Sequence, residues 1–302
     1  MNAKQLQAIA IVVLVLLGLW GASEMWSRRA ATAAASLRLP ALTANQVDTV
    51  AITHGSDTVL LVKQSGDTWT VNRHPATRST INDLFQAFRD SVTPELVAES
   101  PTSFARMGVD SGSGRLVRVV GGGKTLAQVL VGGTGPGYDA SYVRIPGDVR
   151  VYLFPGRLPT LVGRPADDWR DRQIGAVAPD SIAVVEIQRA GKRVTLRKQG
   201  TAWVLSTGAP ADSTAVKRYL ERFRNVSAAG FATDRQADSL SFARPKRSLS
   251  VRASGARALL TLSFDSTASG YWVRRAEGGP VYRLDVWQVD QLAPSEDAFK
   301  AR

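Results

Sequence analysis

Cysteine is absent from all 302 residues, which excludes disulfides, thiolate nucleophiles and cysteine-ligated zinc. Histidine is almost absent: only His54 and His74 occur, one in a turn sequence and one before a proline, and neither has a partner at metal-ligand spacing. No serine stands in a G-x-S-x-G elbow, so a serine hydrolase of that type is excluded as well. Acidic residues are in deficit, 26 against 38 Lys and Arg, giving a formal net charge of +12. Such an excess draws a chain towards anionic lipid, nucleic acid or acidic polymers when it is concentrated. Here no basic block is longer than a pair or triplet, and 30 of the 38 basic residues are Arg interleaved with strand patterns, so a general arginine bias accounts for the charge. With 44% hydrophobic residues the chain is not a disordered tail.

Long apolar runs are missing everywhere except from Leu6 to Trp26. A hydrocarbon core of about 30 Å needs about 20 helical residues to cross it, and this run has that length with almost no charge before Glu24. The small-residue tract that a cleaved secretory signal requires, Ala30 to Ala35, lies beyond Arg28 and Arg29, so the run reads as an uncleaved transmembrane anchor. Trp20 and Trp26 suit the aromatic belt at a bilayer surface. Flanking charge alone, Lys4 against Arg28, Arg29 and Arg38, slightly favours a cytoplasmic body.

After the anchor the sequence is written twice. The hairpin pattern from Val47 to Val71 returns from Asp180 to Leu205, setting Trp69 against Trp203. A helical stripe follows in each copy, Ile81, Leu84, Phe85 and Phe88 in the first and Val216, Tyr219, Leu220 and Phe223 in the second, with Ser79 or Thr80 and Ser213 or Thr214 as expected N-caps. Phe104-Ala105-Arg106 returns as Phe242-Ala243-Arg244. Two further strand pairs then align Tyr142 near Tyr271, Arg144 with Arg274, and Tyr152 with Tyr282. The expected fold is α+β: an N-terminal transmembrane helix (1–30), a linker (31–44), a first antiparallel sheet with one amphipathic helix (45–163), a linking segment (164–179) and a second such repeat (180–302).

Candidate chemistry fails on spacing. Gly121-Gly122-Gly123-Lys124-Thr125 ends like a phosphate-binding loop, but Arg118 occupies the place of its first glycine and a strand follows where a helix should begin, so a hairpin turn is expected. Gly132 to Gly137 is expected to be a loop. Asp167, Asp168 and Asp171 are surrounded by Arg164, Arg170 and Arg172, which predicts charge pairing and no acid pair or Mg²⁺ site. The tryptophans fall at repeat positions, which argues for packing and against a nucleic-acid partner. Trp272, next to Tyr271 in a strand of the second copy only, is the best candidate for a contact surface, together with Arg144 and Arg274.

The strand ending in Gly66-Asp67-Thr68-Trp69, the Met107-Gly108-Val109 segment, the Val-Gly-Gly run before Tyr142-Val143-Arg144, the strand Val151-Tyr152-Leu153 and the exit Asp168-Trp169-Arg170-Asp171-Arg172 resemble the domain-of-unknown-function 4340 family. The resemblance covers nearly all of the first copy and, more loosely, the second. It implies a bacterial membrane-anchored protein of the kind associated with ABC-transport systems, with a body on the periplasmic side, and it brings no catalytic residues. Residues and resemblance together lead to the expectation of a non-enzymatic accessory or scaffold in an envelope complex. It has a protein partner, with ABC-transporter subunits as candidates, and no cofactor, metal or known small-molecule substrate. A binder of anionic polymer or lipid headgroups, and an envelope enzyme of unknown type, are the alternatives.

Overall fold

The computed structural model describes residues 37–90, 92–137 and 139–300. The expected transmembrane anchor lies outside these residues, and among them no helix is long and apolar enough to cross a membrane. Chain packing separates two compact units, one comprising the residues up to Leu60 with Asn82–Arg164, the other Leu61–Ile81 with the residues from Pro165 onward.

The strands in chain order are β1 Thr49–His54, β2 Asp57–Lys63, β3 Trp69–Val71, β4 His74–Pro75, β5 Glu95–Ala98, β6 Arg115–Gly121, β7 Lys124–Thr134, β8 Ala140–Arg144, β9 Val151–Pro155, β10 Gln173–Gly175, β11 Val184–Arg189, β12 Lys192–Gln199, β13 Ala202–Leu205, β14 Val226–Ser227, β15 Gly230–Phe231, β16 Arg247–Arg252, β17 Ala258–Ser266, β18 Tyr271–Arg275 and β19 Tyr282–Leu284. The helices are α1 Arg78–Arg89, α2 Phe104–Met107, α3 Leu158–Val162, α4 Ser213–Glu221, α5 Asp234–Ser239 and α6 Val286–Leu292. The fold is α+β, and its registered strand pairs are antiparallel.

A nine-stranded sheet runs β4-β3-β2-β1-β6-β7-β8-β9-β5 and an eight-stranded sheet runs β13-β12-β11-β16-β17-β18-β19-β15. From β3 to β5 the first order repeats, strand for strand, in the second. Even β4 has an echo, because Thr70 pairs with Pro75 in one sheet and Val204 bridges Pro210 in the other. Trp69 and Trp203 both lie in the short third strand of their sheet and are both buried. The helical stripes behave alike, since Leu84, Phe85, Phe88, Val216, Tyr219, Leu220 and Phe223 are all buried. Each such side chain contributes roughly 1.5–3 kcal/mol on leaving water.

Two local expectations are corrected. Helix α4 is capped by Asp212, whose carboxylate accepts from the N–H groups of Thr214 and Ala215 at 2.8 and 3.0 Å. Ser213 and Thr214 are already helical, because a carboxylate one residue earlier reaches two free N–H groups and faces the positive helix end. Ser79 and Thr80 are likewise inside α1. Val143 pairs with Tyr152 as Val273 pairs with Tyr282, so Arg144 takes the place of Arg274 and Tyr142 that of Trp272, next to Tyr271.

The segment around Trp169 carries the duplication further than the strand patterns reveal. Thr77 N–H donates to the Trp169 carbonyl at 2.8 Å, and Asp212 N–H donates to the Phe299 carbonyl at 2.9 Å. Ala76 bridges Arg170 as Ala211 bridges Lys300. Both returning segments carry an i, i+3 ion pair, Asp167 with Arg170 at 3.1 Å and Asp297 with Lys300 at 2.6 Å. Trp169 and Phe299 are fully buried, so each copy of the pattern closes on an aromatic plug in front of its helix.

Candidate interaction surface

In the eight-stranded sheet, alternation sends Leu249, Val251, Leu260, Leu262, Phe264 and Val273 into one core with α4 and α6. The residues between them face the other way. Glu186, Ser248, Ser250, Thr261, Ser263, Asp265, Trp272, Arg274 and Arg283 occupy that second face, and none of them is buried. Trp272 stands opposite Asp265 on one side and Arg283 on the other, while Arg274 stands opposite Ser263. The face is polar, bears an indole ring beside Arg283, and is braced by the Arg252–Glu186 ion pair.

The first unit treats the same face differently. Leu130 is buried there, and Val151 forms with Met107 and Val109 a small satellite cluster against which Phe104 and Tyr142 also pack. Arg144 is only 8% exposed. Its Nε donates to the Val109 carbonyl at 2.9 Å, its Nη1 donates to the Asp148 carbonyl at 3.1 Å, and its guanidinium lies 4.0 Å from the Phe104 ring centre. Those contacts bind the covering segment to the sheet.

Glycine makes the cover possible. A Cβ on Gly132 would sit 2.3 Å from the Met107 carbonyl oxygen and 2.7 Å from Val109 Cγ1, so only glycine lets α2 come this close. The register that sets Val131 against Phe264 puts Asp265 at the matching place in the second sheet. Phe242-Ala243-Arg244, the repeat of the tripeptide that opens α2, is accordingly not helical. The tripeptide recurs in sequence without recurring in structure.

The remaining sequence candidates fall into place without forming a site. Gly122 and Gly123, with φ of 56° and 72°, make the turn between β6 and β7, and Gly121 pairs with Lys124. Asp167 binds Arg170, Asp168 binds Arg172 at 2.9 Å, and Asp171 accepts from the Gln173 N–H at 2.9 Å. Burial, followed by the nearby Arg170 charge, pushes the His74 pKa down, while Asp234 lies 3.9 Å away. Among the described residues no group of three or more metal-ligating side chains is gathered.

One exposed ring was not anticipated. Trp287 is 60% exposed at the start of α6, beside the half-exposed Val286. The signal was present, because Val289 and Leu292 at i, i+3 define the buried stripe of that helix and Trp287 lies off it.

A family model described as Domain of unknown function (DUF4340) matches residues 69–245 of the 302. No curated protein and no solved structure matches the chain.

Proposed function

The chain belongs to the DUF4340 family, and on that premise we propose that it is a membrane-anchored, non-enzymatic accessory or scaffold protein of an envelope complex. Leu6 to Trp26 is the anchor, the body is extracytoplasmic, and subunits of an ABC-transport system are the candidate partners. The observation that carries the reading is the difference between the two outer sheet faces. One is sealed by α2 and Arg144, whereas its duplicate leaves Arg274 exposed and Trp272 half-buried at the surface. Half-exposed aromatic rings beside arginines are the side chains that most often anchor protein interfaces.

The test is a photo-reactive residue placed at position 272 of the full chain in membranes. Cross-linking to a membrane ATPase component, lost on Arg274→Glu, supports the reading. Recovery of a solitary protein with hydrolytic activity abolished by Asp168→Asn or Asp171→Asn would replace it with the enzyme alternative.

A second reading has its own observation. Arg193, Arg197, Arg252, Arg274 and Arg283 share the open face, which suits an anionic polymer or lipid headgroups. Binding of that kind falls steeply with salt, as burial of an apolar interface does not.

A further inference from the structure

A cavity of about 570 Å³ opens at one end of the second unit, where the turn between β11 and β12 meets the starts of β16 and β18. Arg189, Lys246, Arg247, Ser266 and Tyr271 line it. Arg247 is nine-tenths buried, and its guanidinium lies 5.0 Å from the Tyr271 ring centre.

The charges here do not balance. Arg247 Nη1 reaches Asp290 Oδ1 at 2.9 Å, and Arg189 Nη2 reaches the same oxygen at 3.4 Å. Lys246 has no ion pair among the described residues. Arg189, Lys246 and Arg247 thus bring three cations to the cavity, Asp290 is the one carboxylate paired with the two arginines, and Lys192, cross-strand partner of Arg189, adds to the same end of the sheet. A buried guanidinium sharing its only carboxylate is an expensive arrangement for a protein to hold without a ligand.

The fold does not demand it. Strand register places His54, Gly114, Arg115, Thr134 and Ser141 of the first sheet where the second has Arg189, Lys246, Arg247, Ser266 and Tyr271. The first sheet builds the same strand order with one arginine and no lysine among those five positions. Lys246 and Tyr271 thus replace a glycine and a serine that serve the architecture equally well.

We infer that this cavity is an anion site that takes a phosphate group. Two guanidinium groups supply planar pairs of N–H donors, Lys246 supplies a mobile ammonium, and Ser266 a hydroxyl, a set suited to a tetrahedral dianion. Tyr271 and Phe264 provide an apolar wall for whatever carries the phosphate. The site lies at the strand ends on the core side of the sheet, away from Trp272, and stands independently of the scaffold reading.

The experiment uses the purified full chain and two ligands, inorganic phosphate and short-chain dioctanoyl phosphatidic acid, with binding followed by calorimetry. Lys246→Ala and Arg189→Ala should each weaken phosphate binding at least about tenfold. Arg235→Ala, which removes the same charge from the exposed helix α5, away from both the cavity and the open sheet face, should leave it unchanged. If the phosphatidic acid is lost in parallel, the site takes a lipid headgroup; if only inorganic phosphate binds, it takes a soluble phosphate. No binding by the unaltered chain at millimolar phosphate, or equal weakening by Arg235→Ala, overturns the assignment.

Discussion

Arg144 and Arg274 occupy the same register position in two copies of one sheet, yet the first has its guanidinium 4.0 Å from the Phe104 ring centre and the second is exposed to solvent. The same residue type at the same place has become a fastener in one unit and free surface in the other. The cause is the neighbouring strand, where Gly132 admits a covering helix and Asp265 does not.

That contrast predicts opposite behaviour on substitution. Arg144→Ala should destabilise the first unit by about 1–3 kcal/mol, since it orphans the Val109 carbonyl and unpins α2. Arg274→Ala should change stability by less than about 0.5 kcal/mol. Chemical denaturation of the two variants checks both, and equal effects would contradict the assignment of faces.

Gly132→Ala should destabilise by about 1–3 kcal/mol, because its methyl would meet the Met107 carbonyl oxygen at 2.3 Å. The expected spectroscopic sign is loss of amide-exchange protection in residues 104–109, with the second unit unaffected. Retained protection there would show that the close approach is not required.

Trp69→Ala and Trp203→Ala should each cost about 3–5 kcal/mol, through lost burial and the cavity left behind. Trp287→Ala should leave the melting temperature unchanged, because most of its ring is already in water. Thermal unfolding by calorimetry separates these cases.

Acid should act on the loop that Arg144 pins. Hydrogen bonds from Arg150 hold the Asp148 carboxyl well below its ordinary value of 3.8, at about 2. A carboxylate whose pKa is depressed by folding adds stability above the unfolded value and loses it as pH falls through the folded one. The contribution should therefore be complete above pH 3.8 and fade towards pH 2. A carbon-detected titration of Asp148 should find the low midpoint, and Arg150→Ala should return it towards 3.8.

The full chain is expected to sediment with membranes and to resist carbonate extraction, as the Leu6 to Trp26 run requires. A chain beginning at Leu37 should be released, with its fold intact, since the buried Leu37 and Leu42 remain. Extraction of the full chain by carbonate alone would remove the anchor from this picture.

The strands, the two amphipathic helices and the buried tryptophans were legible in the sequence because they are local matters. Period-two alternation and i, i+3, i+4 spacing encode which side chains share a face, and two matching runs of such signals expose a duplication. Which of two equivalent faces is covered depends instead on whether a segment distant in sequence can approach, and that turns on one missing side chain at Gly132. The cavity beside Arg247 arises the same way, from Arg189, Lys246 and Tyr271 meeting at strand ends that are 25 to 82 residues apart in the chain. The sequence by itself determined the α+β elements and their repetition; only the tertiary structure decided where the duplicated surfaces differ, because burial and charge convergence belong to approaches across the fold and not to neighbours along it.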